Sequence, residues 1–482
     1  MGIFDFNKVP GLVPDRPRSW SRLRSPAIRR SIVAALIAHS LAAVSSVRSS
    51  SPQARNRATI SGRNGAILLP AGAPPQITEH SGDDPLGIES YIPTADQLKQ
   101  VSSKVLEQNQ ELIDQLADKV RSLDEAGHGL SGIVTNPATG TFTVWWSGEP
   151  PAQLKDLAGK SESIVFEIRE GGWPREDLLA RVQDVFFPAS GDRPLGEGTV
   201  SVRQDGTAVV ASPVSADWFT DEMDANREVL AKRMGVPIIW VLGNPSFSAA
   251  NRQNDNMRGG VGALIGPDND LGYCSIGFAV LDGPYGRLLS AAHCNTGGNR
   301  RWQTGNGNGL IVPPNSNAPV VLGADSILLD PVDGTRGKVY KGGYFGQDVR
   351  SVVGTAVNNV GDVVCTSGAN TGQHCDLTVI DDSVSQTCVD GYSYTCVNIA
   401  ARAPVGERAL AQGDSGGPVY TTNGNDARAR GIISRTSNDG CAGMPIYTKD
   451  ELGWATPICG RIAYYRPIRP LLDIWNVQIE TS

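Results

Sequence analysis

Apolar residues along this chain change their spacing twice. Between residues 94 and 123, Leu98, Val101, Val105, Leu112, Ile113, Leu116, Val120 and Leu123 follow a helical period. Thr94 and Gln97 supply a capping-box pattern at its start, and Gly127 is a natural stop. After that the units shorten. GIVTNPATGTFTVWW predicts a hairpin turning at Asn136–Gly140, with Phe142, Val144 and Trp146 on one face. PAQLKDLAG, SIVFEI and WPREDLLARVQDVF then predict a helix, a strand and a helix. A second turn at Asp205–Gly206, a helix through Asp221–Met234 and the strand VPIIWVL complete an α+β or α/β module over residues 91–242. From about Gly259 the texture changes again. CSIGFAVL, VVLGADSILL, SVVGTAV, CDLTVI and RGIISRT alternate with Gly, Asn and Asp turns, and a helical period returns only in RPIRPLLDIWNVQI. Many short strands and one terminal helix predict an all-β barrel or sandwich over residues 259–482.

Between and before these regions the chain is aperiodic. Residues 243–258 (GNPSFSAANRQNDNMR) are polar and predict an exposed linker, and residues 47–90, rich in Ser, Pro, Gly and Ala, predict another. Residues 1–46 read as an export signal: basic RPRSWSRLRSPAIRR, apolar IVAALIAHSLAAV, then small residues around Ala43–Ser46. The apolar run is short and contains His39, which argues against a stable membrane anchor. Arg29–Arg30 leaves the general secretory and twin-arginine routes both open.

Composition adds two constraints. A net charge of −7 among 482 residues gives no sign of a nucleic-acid binder, and 55 glycines with 31 prolines favour many turns. All eight cysteines, Cys274, Cys294, Cys365, Cys375, Cys388, Cys396, Cys441 and Cys459, lie in the last region. An even number so confined predicts disulfides formed in an oxidising compartment. No pair has the C-x2-C spacing of common structural zinc sites, so neither a metal nor another cofactor is expected.

The candidate chemistry lies in the stretch GDSGG. Attack of a Ser hydroxyl on a carbonyl needs a base, a group that orients the base, and donors for the oxyanion. GDSGG offers Ser415 as nucleophile and the N–H groups of Gly413 and Ser415 as donors, with glycines permitting the backbone angles required. Of five histidines, only His293 and His374 lie in the cysteine-rich region, and His293 in LLSAAHCN follows an apolar strand-like run. Asp325 in VVLGADSILLD is flanked by apolar residues and suits a buried orienting carboxylate. Asp330, which precedes a proline, and Asp381 with Asp382 read as turn residues.

SAAHC, ADSILL and GDSGGP, in the order His293, Asp325, Ser415, resemble the trypsin/chymotrypsin superfamily of serine peptidases. YCSIGFAVL and VCTSGANTGQHCDL narrow the resemblance to its secreted bacterial branch, that of the streptogrisins and α-lytic protease, while CAGMPIYTKD and the final Pro-rich helix also resemble the superfamily. The resemblance covers residues 259–482 and implies two antiparallel six-stranded β-barrels with a C-terminal helix. It further implies an acyl-enzyme mechanism run by His293, Asp325 and Ser415, on polypeptide substrates that pair with Ser434, Arg435 and Thr436. Relatives of this branch are made with a folded pro-region that assists folding and blocks the site until it is cut away. Residues 91–242 sit where such a pro-region would be, with residues 243–258 as the processing segment and a monomeric mature enzyme as the product. Disulfides Cys274–Cys294 and Cys365–Cys375 are implied by the resemblance, with Cys388–Cys396 and Cys441–Cys459 the simplest remaining pairs.

Three departures from the family's pattern bear on function. The usual cysteine shortly before GDSGG is replaced within Ala-Leu-Ala-Gln. Ala409 stands where trypsin-like members carry a pocket-floor Asp, which disfavours simple Lys or Arg preference and favours an apolar or small side chain. Asp414, if buried, needs a cationic partner; Thr366 occupies the position where this branch often has an Arg, leaving Arg402, Arg408 and Arg435 as candidates. A catalytically silent binding protein on the same fold, or an esterase using the same three residues, is the competing reading.

Overall fold

A computed structural model describes residues 68–69, 84–124, 129–161, 163–188, 194–195, 198–213, 215–220, 223–241, 246–247, 262–265, 272–295, 302–304, 310–312, 322–331, 334–343, 348–387, 395–441 and 458–482. The expected export signal lies outside them, as do most of the expected linkers at 47–90 and 243–258. No helix among the described residues is long and apolar enough to cross a membrane.

Strand β1 (Leu68–Leu69) comes first, and the predicted first helix is in fact two, α1 (Ala95–Gln100) and α2 (Ser103–Leu123). Thr94 and Gln97 do cap α1 reciprocally, and Ser102 then caps α2, accepting from the Val105 amide at 3.4 Å. A cap residue at Ser102 gives the backbone an extended conformation there, which splits the period. The hairpin β2 (Leu130–Asn136) and β3 (Thr141–Ser147) is followed by α3 (Ala152–Gly159) and β4 (Val165–Gly171), which pairs parallel to β3. Together these form a four-stranded sheet in the order β1-β4-β3-β2. Ile113, Leu116 and Val120 of α2 pack there on Phe142, Val144, Trp146, Phe166 and Ile168. Each such burial is worth roughly 1.5–3 kcal/mol, so the helical stripe drives the docking of α2.

The second half of the module holds α4 (Arg175–Phe186), β5 (Thr199–Val202), β6 (Val209–Ser212), α5 (Asp224–Met234) and β7 (Ile238–Trp240) around its own apolar cluster. Strand β8 (Ser246–Phe247) follows. An antiparallel sheet then runs through β9 (Gly262–Ile265), β10 (Gly272–Ser275), β11 (Ala279–Asp282), β12 (Tyr285–Ser290), β13 (Trp302–Thr304), β14 (Leu310–Val312) and β15 (Ile327–Pro331). Its order is β10-β9-β13-β14-β15-β12-β11, with β26 (Gln478–Ile479) added on β11. Strands β16 (Lys338–Tyr340) and β17 (Val349–Thr355) lead into the second barrel.

That barrel is built from β18 (Val363–Gly368), β19 (Gly372–Thr387), β20 (Thr395–Arg402), β22 (Pro418–Asn423), β23 (Asp426–Ser437) and β25 (Ile462–Pro467). Neighbour pairs β18·β19, β19·β20, β20·β25, β25·β23, β23·β22 and β22·β18 are all antiparallel and close the ring. The short β21 (Leu410–Ala411) and β24 (Cys459–Gly460) pair beside it. Helix α6 (Ile468–Trp475) sends Ile468 and Leu471 into a core shared by both sheets, with Phe278, Val280 and Leu289 from one and Tyr420 and Ile432 from the other. The sequence reading placed Asp330, Asp381 and Asp382 in turns. They lie in β15 and β19 instead, where Asp381 is buried and accepts from Ser383, and Asp382 pairs with Arg175 of the module.

The module joins the second barrel through polar contacts. Glu107, Glu111, Asp114 and Asp118 recur every three or four residues and therefore line one face of α2. Glu107 accepts from Thr422 and the Gly424 amide, Glu111 pairs with Arg428, and Asp118 pairs with Arg469. At the centre Arg430, fully buried, donates to Asp114 and to Asp362, each at 2.8 Å. Gln110 bridges both acids, and Thr135 donates to Asp362 at 2.9 Å. Strand β5 meanwhile pairs with β19 at Val200 and Ser385.

One guanidinium between two buried carboxylates leaves a surplus negative charge. Burial pushes the Asp114 carboxyl up to about 7, with Arg430 pulling it down and Asp362 pushing it further up. A raised carboxyl stabilises the fold in its protonated form; that contribution is complete below the ordinary value of 3.8 and is lost as pH rises through about 7. Asp114→Asn should therefore flatten the decline of the urea midpoint of the full chain between about pH 4 and pH 7. An unchanged slope would show that Asp114 does not titrate in that window.

Candidate active site

His293 lies in a single 3-10 turn, Ala292–Asn295, at the end of β12, and the disulfide Cys274–Cys294 ties that turn to β10. Asp325 follows a second short turn, Leu322–Ala324, at φ 45°, in the left-handed region that Asp tolerates better than most residues. Its side chain is fully buried and accepts from three groups. The His293 amide donates at 3.0 Å, His293 Nδ1 lies 2.9 Å from Oδ2, and Ser434 Oγ donates at 2.5 Å. Burial alone would push the Asp325 carboxyl up, but the His293 charge and the hydrogen bonds from His293 and Ser434 outweigh it and hold the acid below its ordinary range. An ionised Asp325 can only accept, so Nδ1 carries a hydrogen and Nε2 faces the opposite edge of the ring. Nε2 is buried and makes no hydrogen bond among the described residues.

Ser415 is in the turn between β21 and β22 and is 2 % exposed. The flanking Gly413 and Gly416 adopt φ 117° and 83°. A methyl group on Gly416 would stand 2.3 Å from Ser290 Oγ and 3.0 Å from the Ala291 amide, so only glycine lets this turn reach the strand end that carries His293. The Ser415 turn and the strand end that carries His293 are thus neighbours through their backbones. Ser275 of β10 clamps the turn, donating its amide to the Ser415 carbonyl at 2.6 Å and its hydroxyl to the Gly413 carbonyl at 3.0 Å.

Two further carbonyls decide where the Gly413 and Ser415 amides point. Asn370 Nδ2 donates to the Gln412 carbonyl at 2.6 Å, and the Gly417 amide donates to the Asp414 carbonyl at 2.9 Å. A trans peptide sets its N–H opposite its C=O, and among the described residues there is no cis bond. Fixing those two carbonyls therefore fixes both amides on the other side of the turn. Neither Ser275 nor Asn370 stood out in the sequence, since nothing local distinguishes a buried Ser or Asn that serves a loop far away in the chain.

Asp414 is fully buried, and its partner is not an arginine. Arg402 pairs with Glu89, and Arg408 donates to the carbonyls of Gly440, Glu407 and Asp439. The carboxylate instead accepts from the amides of Asn370, Thr371 and Ala411 and from the Thr371 hydroxyl at 2.6 Å. Burial pushes its pKa up despite these donors, and the nearby His374 charge pulls it down. The absent guanidinium is thus replaced by a nest of backbone donors at the β18–β19 hairpin, which the Cys365–Cys375 bridge closes.

Ala409 is fully buried, its carbonyl accepts from Thr366, and its amide donates to Gly460. With no cysteine before GDSGG, Cys459 bridges to Cys441, while Cys396 is disulfide-bonded and Cys388 lies outside the described residues. Of the expected substrate strand, Ser434 is committed to Asp325, Arg435 is half-buried, and Thr436 pairs with Phe247 of β8.

No protein-family model matches the chain. Streptogrisin-C of Streptomyces griseus is 27% identical over 232 residues, 47% of this chain and 42% of that protein, so the chain matches less than half of the relative's length. Among solved structures, Thermobifida fusca Protease A is 24% identical with a TM-score of 0.32, and Cellulomonas bogoriensis chymotrypsin is 26% identical with a TM-score of 0.31. Each is covered in full by 47% of this chain.

The Asp414 nest predicts a steric test. A methyl on Gly368 would lie 2.0 Å from Asp414 Cγ, so Gly368→Ala should lower the unfolding free energy by about 1–3 kcal/mol in urea titration. Gly343→Ala, whose methyl meets nothing within 4 Å, should change it by less than about 0.5 kcal/mol. Equal effects would mean that Asp414 is not held against Gly368.

Over the 232 residues matched to Streptogrisin-C, the sequence of the chain resembles the bacterial branch of the trypsin/chymotrypsin-fold serine proteases.

Proposed function

We propose that the chain is the precursor of a secreted serine endopeptidase, with Ser415 as nucleophile, His293 as base and then acid, and Asp325 as the group that orients the imidazole. The observation that carries this reading is the buried Asp325 carboxylate gripping both the amide and Nδ1 of His293 beside the Ser415 turn.

In this reading Ser415 Oγ attacks the scissile carbonyl carbon as His293 Nε2 takes its proton. Charge developing on the carbonyl oxygen meets the Gly413 and Ser415 amides, whose planes Asn370 and Gly417 hold. Collapse breaks the C–N bond, His293 returns the proton to the departing amine, and an activated water then releases the acyl group. Substrate backbone adds to β23 at Ser434–Thr436, a mode that tolerates varied sequence and suits an endopeptidase. The disulfides Cys274–Cys294, Cys365–Cys375 and Cys441–Cys459 suit an oxidising, extracellular setting. Residues 91–242 serve as the pro-region in this reading, supported by their contacts with β19, β22 and β23 and by the seat of β8 on β23.

A fluorophosphonate probe should label the secreted protein, and Ser415→Ala should abolish labelling and lower casein cleavage by about a million-fold. Asp325→Asn should lower kcat by about ten-thousand-fold with little change in KM, because the imidazole would settle in the wrong tautomer. Labelling without cleavage of casein would favour an esterase, and no labelling of the wild type would favour a binding protein.

Asn370→Ala should lower kcat more than it raises KM, since it frees the Gln412–Gly413 peptide, and Asn370→Asp, which removes the side-chain donor, should not restore the rate. Steady-state kinetics on one peptide ester would test this; a pure KM effect would assign Asn370 to substrate binding.

A further inference from the structure

A cavity of about 420 Å³ lies where the N-terminal module meets the second barrel, within the size range of small-ligand sites, roughly 300–1,000 Å³. The end of α2, β2 and the start of α4 line it from the module, and residues 356–358 with the start of α6 line it from the barrel. Part of the wall is apolar: Leu130 and Leu179 on the module side, Val357 and Ile468 on the barrel side.

Three arginines also line the cavity, and they differ in what they are bonded to. Arg469 is fully engaged, with both Nη atoms donating to Asp118 and Nε donating to Thr355. Arg121 donates Nη2 to the Asn358 carbonyl at 2.9 Å, and Arg175 donates Nη2 to Asp382. The Nη1 atoms of Arg121 and Arg175 are buried and make no hydrogen bond among the described residues. An unpartnered buried donor carries the full cost of its lost hydration, and here two of them belong to one cavity wall. Burial pushes the Arg121 pKa down; Asp382 pulls it up, and Arg175 is close enough to push it down again. The acids on the wall are already in use or turned to water. Asp382 accepts from Arg175 and from Gln204 at 2.7 Å, and Asp124 accepts from the amides of Gly129 and Leu130 at 3.0 and 3.1 Å. Glu176, in the first turn of α4, is exposed.

We propose that this cavity is a binding site for a small aliphatic monocarboxylate, held by Nη1 of Arg121 and Nη1 of Arg175, with its tail on Leu130, Leu179, Val357 and Ile468. Guanidinium ends match the planar carboxylate, and the apolar wall receives a short hydrocarbon chain. Asp124, Glu176 and Asp382 on the same wall disfavour a doubly charged anion such as phosphate. None of the lining residues belongs to the group of His293, Asp325 and Ser415, so the inference stands apart from the proposed function. Both halves of the chain contribute to the wall, and a bound carboxylate therefore favours their docked arrangement.

The test is calorimetric titration of the full chain carrying Ser415→Ala, so that it stays in one piece. Hexanoate should bind once per chain with a Kd of about 1 mM or lower. Hexanol, which has the same tail and no charge, and inorganic phosphate should each bind at least about tenfold more weakly. Arg121→Gln should weaken hexanoate by about tenfold or more, and so should Val357→Trp, which fills the space of the tail and leaves the arginines in place. The comparison of the three ligands needs no change in the wall, so it holds even where a wall variant fails to fold. Hexanol binding as tightly as hexanoate would overturn the part given to the arginines, and phosphate binding as tightly would overturn the carboxylate assignment. Absence of hexanoate binding up to about twenty times that Kd, or binding untouched by both wall variants, would overturn the site itself.

Discussion

The C-terminal half of this chain is organised around one buried carboxylate. Asp325 comes from a turn beside the first sheet, takes an uncommon backbone angle, and collects donors from both sides of the cleft: His293 on the β12 side and Ser434 on β23. A carboxylate in such a place is tolerable only while every donor is kept, because an unpaired buried charge costs several kcal/mol. The requirement thereby fixes the distance between the two sheets as well as the imidazole. The shared core of Phe278, Val280, Tyr420 and Ile432 and the C-terminal helix hold the same spacing from the apolar side.

The Ser415 turn is fastened by a separate set of polar groups, and its Asp414 carboxylate accepts from backbone amides and a hydroxyl rather than from an arginine. Ser275, Asn370 and Thr371 together fix the carbonyls and the carboxylate of residues 412–415. Replacing an ion pair by oriented amides avoids desolvating a guanidinium, at the cost of a carboxyl whose pKa burial raises. Thr366 instead anchors the Ala409 carbonyl through its hydroxyl.

Much of this was legible in the sequence. GDSGG, the apolar flanks of Asp325, the cysteine distribution and the strand-like runs each encode a local requirement, and local requirements leave local patterns. The stripe Ile113, Leu116, Val120 was readable for the same reason, as were Phe142, Val144 and Trp146 on one sheet face. The failures share one cause. Gln110 and Asp114 are buried, yet a reading that counts apolar residues must assign them to solvent. Asp382 reads as a turn residue because its partner in the module, Arg175, is 207 positions away. Ser102 broke a helix that the apolar period continued straight through. Polar groups that find their partners only in the folded chain leave no periodic trace.

The charge arithmetic around Arg430 has an asymmetric consequence. Arg430 and Asp362 belong to the barrel and balance one another, whereas Asp114 is contributed by the module and is the surplus member. If the two halves were parted, the barrel would keep a neutral, self-sufficient pair, and the module would leave with an acid that water can solvate. Around Arg430 the arrangement is therefore indifferent to the loss of one partner and not the other: removing Asp114 leaves the Arg430–Asp362 pair balanced.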